Sequence, residues 1–215
     1  PELIMELTGE GLSHAAVYGG WLMFLYALMQ FVFAPVMGNL SDRFGRRPVL
    51  LFSLLAFGLD YILMGFAPTL FWLFVGRFVA GITGATFYTA NAYFEDVSPP
   101  EKRAANFGLL GAAFGLGFIL GPVIGGLLGE FGPRVPFFAA AVLTLLNVVY
   151  GFIVLPETLP AERRRPFELS RANPLGALAQ MRRFPIVIAL FGALFLYQIS
   201  HDAKPATQSP VRSLP

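Results

Sequence analysis

The stretch from position 38 to position 48 decides the fold of this chain. It reads Gly38-Asn39-Leu40-Ser41-Asp42-Arg43-Phe44-Gly45-Arg46-Arg47-Pro48. The apolar segment before it, residues 17–36, carries no charge, and the segment after it, residues 49–67, carries only Asp60. A helix needs about 20 residues to cross a bilayer. A short basic loop between two segments of that length predicts a membrane hairpin whose turn stays in the cytoplasm.

The composition indicates a membrane protein. Of the 215 residues, 56% are hydrophobic and 13% are charged, whereas soluble domains are usually about 25% charged. Mean hydropathy is +0.65. A chain this apolar has more apolar surface than a soluble core of its size can bury. There are no cysteines, so disulfides and thiolate sites are excluded.

Six apolar segments predict an all-α, polytopic membrane helix bundle of about six transmembrane helices. They are residues 17–36, 49–67, 70–92, 106–128, 135–155 and 184–199. The last is at the short end of the roughly 17–25 residues that a span requires.

Basic residues concentrate in every second connection between these segments. Eleven of the 15 lysines and arginines lie in the first, third and fifth connections, which places those connections in the cytoplasm. The first visible residues then face outward. Because an outward-facing start normally follows an earlier helix and no signal peptide is visible, we expect at least one further span ahead of Pro1.

Four regions follow from this pattern. We predict an incomplete transmembrane bundle at 1–156, a cytoplasmic linker at 157–183, the first helix of a second bundle at 184–200, and a disordered tail at 201–215.

Three residues of the basic turn have expected structural roles. Gly38 is expected to end one helix, and Asp42 to cap the free N–H groups of the next. Arg46 is four positions from Asp42 and within its reach if the turn is helical. This pair predicts a charged latch at the cytoplasmic mouth. The alternative is a plain basic loop that only sets topology.

A glycine stripe marks the fourth segment. Gly117, Gly121, Gly125 and Gly129 recur at four-residue spacing, and Pro122 removes a backbone hydrogen bond. A smooth, bent helix of this kind can rock against a neighbour. Ordinary close packing of two membrane helices is the alternative.

Two charges lie inside predicted spans, Asp60 and Arg77. Each costs about 2.5–3.5 kcal/mol at a helix centre, so both are functional candidates. Asp60 could instead be a structural partner for a polar group on another helix. Arg77 could instead bind backbone carbonyls or extend to the outer interface.

Four weaker candidates for lining a cavity are Gln30, Tyr88, Asn91 and Gln198, although isolated polar residues also hold helices together. The chain has no nucleotide-binding loop, cofactor motif, paired metal ligands or nucleophile–base pair. We therefore expect no enzyme activity, no cofactor and no metal site, and charge topology gives no reason to expect a nucleic-acid partner.

Three motifs resemble those of the major facilitator superfamily. The basic turn matches the signature between that family's second and third helices, and residues Gly117 to Gly126 resemble the fifth-helix motif of its drug/proton antiporters. Arg77 with Gly81, Gly84 and Ala85 resembles its fourth-helix motif. Three fragments look like the tetracycline-resistance branch: Phe33-Ala34-Pro35-Val36-Met37-Gly38, Gly76-Arg77-Phe78-Val79-Ala80-Gly81-Ile82-Thr83-Gly84-Ala85-Thr86 and Leu155-Pro156-Glu157-Thr158.

The resemblance implies roles for residues at matching positions. The cytoplasmic gate motif would comprise Gly38, Asp42, Arg43, Gly45, Arg46 and Arg47. The antiporter motif would comprise Gly117, Gly121, Pro122, Gly125 and Gly126. Asp60, in its Asp-Tyr context, would bind substrate or a proton, and Arg77 would serve proton coupling. The implied parent exports tetracycline, as a divalent-cation chelate, or a similar compound in exchange for protons across the bacterial inner membrane.

The chain departs from the family at both ends. The first helix and most of the second bundle are missing, and the sequence after Ala203 is unlike the family's. We expect a truncated or frameshifted product of a twelve-helix transporter. Two alternatives stay open: efflux of another small molecule by the same fold, and a non-transporting remnant or half-transporter that pairs with a complementary second half.

Overall fold

A computed structural model describes residues 1–168, 172–173, 176, 186, 188–190, 192–194 and 196 of the chain. The described part is helical and contains no strand. Its helices are α1 (Glu2–Thr8), α2 (Leu12–Phe44), α3 (Arg46–Gly65), α4 (Leu70–Gly84), α5 (Phe87–Val97), α6 (Arg103–Gly129) and α7 (Val135–Val154), with 3₁₀ turns at Pro100–Lys102 and Ala161–Arg163.

Five stretches in the described residues are long and apolar enough to cross a membrane. They are Leu12–Phe44, Arg46–Gly65, Leu70–Val97, Pro100–Gly129 and Val135–Val154. They correspond to the first five predicted spans, and the all-α prediction is confirmed. The sixth, residues 184–199, falls largely outside the described residues, although its described positions are helical.

The first helix is longer than predicted and extends through the basic turn. At 1.5 Å per residue, its 33 residues span about 50 Å, against about 30 Å of bilayer hydrocarbon. Gly38 therefore does not end the helix, contrary to the sequence-based expectation. Its carbonyl accepts a hydrogen bond from the Ser41 hydroxyl at 2.8 Å, and the helix runs on to Phe44.

The third predicted span is two helices rather than one. α4 ends at Gly84 and α5 begins at Phe87. The Thr86 N–H donates a hydrogen bond to the carbonyl of Thr83, three residues earlier, at 3.0 Å. This tighter hydrogen bonding interrupts the α-helical ladder, and the Gly84 carbonyl accepts instead from Gln30 Nε2 on α2 at 3.2 Å.

Helix packing centres on α3, which contacts α7, α4, α2 and α5, while α2 also packs along α4. The main apolar core lies at the end of the bundle opposite the α2–α3 turn. There, Leu3 and Ile4 of α1 pack with residues from α2, α3 and α4. α1 thus closes this end of the bundle.

α6 is the least covered of the described helices. None of its residues is fully buried, and its main contacts are with α7, α5 and the 3₁₀ turn that precedes it. The chain divides into two compact units, Pro1–Ala172 and Asn173–Pro215. The boundary falls within the predicted linker at 157–183, and the predicted tail at 201–215 lies outside the described residues.

Candidate functional site

The α2–α3 turn is a single residue, Gly45. Its φ of +106° is one that side-chain-bearing residues rarely adopt, so glycine is required there. The reversal after Phe44 brings Arg46 back over the last turn of α2.

Arg46 makes the ion pair with Asp42 that was predicted for the latch, and it adds Asp96 as a third member. Its Nη1 lies 2.8 Å from Asp42 Oδ1, and its Nε lies 3.4 Å from Asp96 Oδ2 at the end of α5. Nη1 also donates to the Ser41 hydroxyl at 2.8 Å. One guanidinium therefore joins α2, α3 and α5 at this end of the bundle.

The prediction that Asp42 caps α3 is wrong. Asp42 belongs to the last turn of α2 and pairs with the Arg46 side chain. Glu157, after α7, accepts the Arg46 backbone N–H at 2.9 Å. Its carboxylate lies directly against Gly45, so the first turn of α3 is capped from a distant part of the chain.

The other two arginines of the turn face elsewhere. Arg47 donates from Nη2 to the Phe152 carbonyl at 2.6 Å and lies over the Phe152 ring. Arg43 is exposed and lies over Phe44. Neither takes part in the latch.

Asp60 is buried within the bundle, with 3% of its surface exposed. Both of its carboxylate oxygens are enclosed, and no described residue gives either one a hydrogen bond. A Cβ placed on Gly76 of α4 would lie 3.0 Å from Asp60 Oδ1, so glycine keeps room there. Arg77 is near enough to interact with Asp60 electrostatically. The alternative role for Asp60, as a structural partner for a polar group on another helix, stays open, and Arg77 on α4 is the group near enough to serve.

A cavity of about 810 Å³ is lined by Arg77, whereas Asp60 is not part of its lining. Arg77 and Met64 reach it from α4 and α3, and Glu130 reaches it just after α6. The first residues of α1 close the cavity on the side opposite the basic turn. It is large enough for a drug-sized molecule, since ligand pockets usually measure about 300–1,000 Å³.

The weaker candidates do not gather at this cavity. Gln30 holds α2 to the α4–α5 break, which is the role of interhelical glue. Tyr88 is 56% exposed, and Asn91 donates to the Phe87 carbonyl within its own helix. Gln198 lies outside the described residues.

The glycine stripe of α6 faces open space along most of its length. A Cβ added at any of its four glycines, or at Gly126, would meet nothing within 4 Å. Gly125, Gly126 and Gly129 border the cavity. Among the described residues, the stripe therefore has no close-packed partner helix.

Sequence reasoning missed Arg134. Its Nη1 donates to the carbonyls of Gly65 and Ala67 at 3.0 and 2.9 Å, and its Nη2 lies 3.1 Å from Glu6 Oε1. It thereby joins α1, the end of α3 and the start of α7. An arginine in the short outer connection between α6 and α7, where Glu130 is the other charged residue, was the available signal.

A buried hydroxyl pair was missed as well. Thr86 Oγ1 donates to Ser53 Oγ at 2.6 Å and links the α4–α5 break to α3. Nothing in the spacing of these two residues identifies them as partners.

Comparison with known proteins assigns the family. Residues 3–211 match the family model described as Major Facilitator Superfamily. The tetracycline resistance protein, class C, of Escherichia coli is 50% identical over 199 residues, covering 93% of this chain and 50% of the relative. Multidrug resistance protein 2 of Bacillus subtilis (strain 168) is 32% identical, covering 75% of this chain and 39% of the relative.

A solved transporter structure resembles the fold of this chain. The human organic anion transporter MFSD10 (TETRAN) superposes with a TM-score of 0.63 at 27% identity, over 77% of this chain and 45% of that one. The chain spans about half the length, or less, of the relatives that it matches.

Proposed function

Because the chain belongs to the Major Facilitator Superfamily, a family of membrane transporters, we propose that it forms part of a proton-coupled drug antiporter. The intact protein exports tetracycline or a similar compound across the bacterial inner membrane. In this proposal the described helices α2 to α7 belong to the N-terminal bundle, and a second bundle completes the pathway. Alternating access requires two bundles that move about a central site.

The observation that carries the proposal is the environment of Asp60. Its carboxylate is buried, has no hydrogen-bond donor among the described residues, and lies near Arg77, which lines a drug-sized cavity. A buried, unpaired carboxylate is costly and is satisfied by a proton or a cationic ligand. Exchange between those two states is the chemistry that a proton-coupled exporter needs.

The remaining site residues divide between two roles. Arg77 supplies a counter-charge to Asp60 and contacts the substrate in the cavity. Asp42, Arg46 and Asp96 form a latch that holds the cytoplasmic ends of α2, α3 and α5 together in one conformation. Breaking the latch frees these ends to move.

Proton-dependent tetracycline uptake into inverted vesicles tests the proposal. We expect uptake when the chain is joined to the first helix and the second bundle of a tetracycline-resistance relative, and at least a tenfold loss with Asp60→Asn. Glu10→Gln removes an exposed carboxylate and should leave uptake unchanged. Absence of tetracycline uptake by a well-folded joined protein would remove this substrate.

A second candidate is efflux of another small molecule by the same fold. The relatives include a multidrug resistance protein and a transporter of organic anions, and the cavity lining is mostly apolar with few specific polar groups. Uptake of a panel of lipophilic and anionic dyes by the same vesicles separates the two. Dye uptake that Asp60→Asn abolishes, without tetracycline uptake, would favour this candidate.

The third candidate is a half-transporter or a non-transporting remnant. The uncovered glycine stripe of α6 favours a chain that needs another membrane helix against it. Co-expression of the chain with a separate second bundle tests this. Restored uptake identifies a half-transporter, whereas uptake only from the covalently joined form, or from neither, favours a remnant.

A further inference from the structure

We propose that arginines from two distant parts of the chain form one surface that binds anionic phospholipid headgroups. The arginine surface consists of Arg43 and Arg47 from the α2–α3 turn and Arg163, Arg164 and Arg165 from the segment that follows α7. The proposal does not depend on the transported substrate. It concerns the end of the bundle that the charge pattern predicts to be cytoplasmic.

Backbone hydrogen bonds hold the two parts together. The Arg165 N–H donates to the Asp42 carbonyl at 3.0 Å. Asn39 Nδ2 donates to the Glu168 carbonyl at 2.6 Å, and the Glu168 N–H donates back to Asn39 Oδ1 at 3.4 Å. Asn39 is only 7% exposed, so its amide is committed to this contact. The segment is therefore fixed across the end of α2.

This attachment brings the Arg164 guanidinium group to the turn. Arg164 Nη2 lies 3.2 Å from the position that a Cβ on Gly45 would occupy. Arg47 lies over Phe152 in the last turn of α7. The surface thus spreads over the ends of α2, α3 and α7, each of which is apolar enough to cross a membrane.

Three of the nearby acidic groups are already engaged, and a fourth, Glu162, is exposed and sets one negative charge against five arginines. Asp42 and Asp96 both pair with Arg46, and Glu157 accepts backbone N–H groups. In the part of the chain that the structure describes, none of the five arginines makes an ion pair. Four of them are exposed, and Arg47 is half-buried.

The position of the surface favours lipid as its partner. Cations at the ends of membrane-crossing helices lie at the depth of the headgroups. Basic residues beside a membrane attract anionic lipids, whereas zwitterionic lipids carry no net charge to attract. Guanidinium groups also bind phosphate through paired N–H donors. A phosphatidylglycerol headgroup fits these requirements.

Lipid selectivity tests the proposal. The chain is reconstituted in bilayers with trace spin-labelled phosphatidylglycerol or phosphatidylcholine, and the ratio of their association constants is measured. Arg163→Gln with Arg164→Gln should lower the ratio by about tenfold, since each cation near the surface contributes severalfold. Lys102→Gln with Arg103→Gln removes the same charge from the α5–α6 connection and should lower it less than threefold.

A second variant tests whether the position of the arginines matters in addition to their charge. Asn39→Ala keeps all five arginines but removes the bonds to Glu168. We expect a lower phosphatidylglycerol ratio and faster trypsin cleavage after Arg163 and Arg164, with no faster cleavage after Arg43, Arg46 or Arg103. If Asn39→Ala unfolds the chain, the exposed double arginine variant still decides the question. Equal losses in the two double variants, or a ratio near one in the unsubstituted chain, would overturn the proposal.

Discussion

The first residue of α3, Arg46, donates its backbone N–H to the Glu157 carboxylate, which lies 111 positions further along the chain. The same carboxylate accepts the N–H groups of Thr158 and Leu159 at 3.0 Å. One side chain therefore caps a helix and closes the turn after α7. An anion is favourable at this end of the α3 dipole.

Replacing Glu157 with alanine should destabilise the chain modestly. Loss of a capping oxygen costs about 0.5–2 kcal/mol, and because Glu157 is exposed, we expect the lower part of that range. Unfolding by SDS in mixed micelles measures it. Glu162→Ala removes a carboxylate that neither caps a helix nor pairs, and an equal loss in that variant would contradict the capping role.

At the scale of elements, the crossing of α2 and α4 depends on Gly81. A Cβ there would lie 2.6 Å from the Tyr26 carbonyl oxygen and 2.6 Å from Met29 Cβ. Gly81→Ala should therefore force the helices apart and lower the unfolding free energy by about 1–3 kcal/mol. Gly111→Ala, in open space on α6, should be neutral or stabilising because alanine favours helix. Similar losses in both variants would argue against a close crossing.

The attachment of α1 depends on Arg134. Removing its bonds to two carbonyls and to Glu6 with Arg134→Ala should cost about 1–2 kcal/mol. Amide hydrogen exchange in residues 2–8 should then become about tenfold faster. Glu6→Gln removes only the exposed ion pair, worth less than about 1 kcal/mol, and should change exchange less. Unchanged exchange in Arg134→Ala would mean that apolar packing alone holds α1.

For the whole molecule, the charge pattern predicts which end of the bundle faces the cytoplasm. The chain contains no cysteine, so a single introduced thiol is labelled without background. Glu162→Cys should react with a membrane-impermeant maleimide only in inverted vesicles, and Thr69→Cys only in intact cells. Both positions are exposed. Labelling of both from one side would contradict the topology.

Much of this architecture was predictable from local pattern. Apolar length predicted five of the spans, and the (i, i+4) spacing of Asp42 and Arg46 predicted their ion pair, because both properties depend on neighbouring residues only. The helix ends were less predictable. α2 runs through Gly38 to Phe44 because a mid-helix glycine costs only about 1 kcal/mol and the Ser41 hydroxyl bonds its carbonyl.

The order of residues determines that the chain lies in a membrane, that it is helical, and which charge each end of the bundle carries. The free energies of transfer into lipid and of interaction with the lipid surface are sums of contributions from local segments. Partnerships between distant segments depend on how the helices cross. Only packing made Glu157 the cap of α3, set Arg134 between three helices, broke the third span at Gly84, and enclosed Asp60 without a donor. Those contacts depend on three-dimensional distance, which residue spacing does not encode.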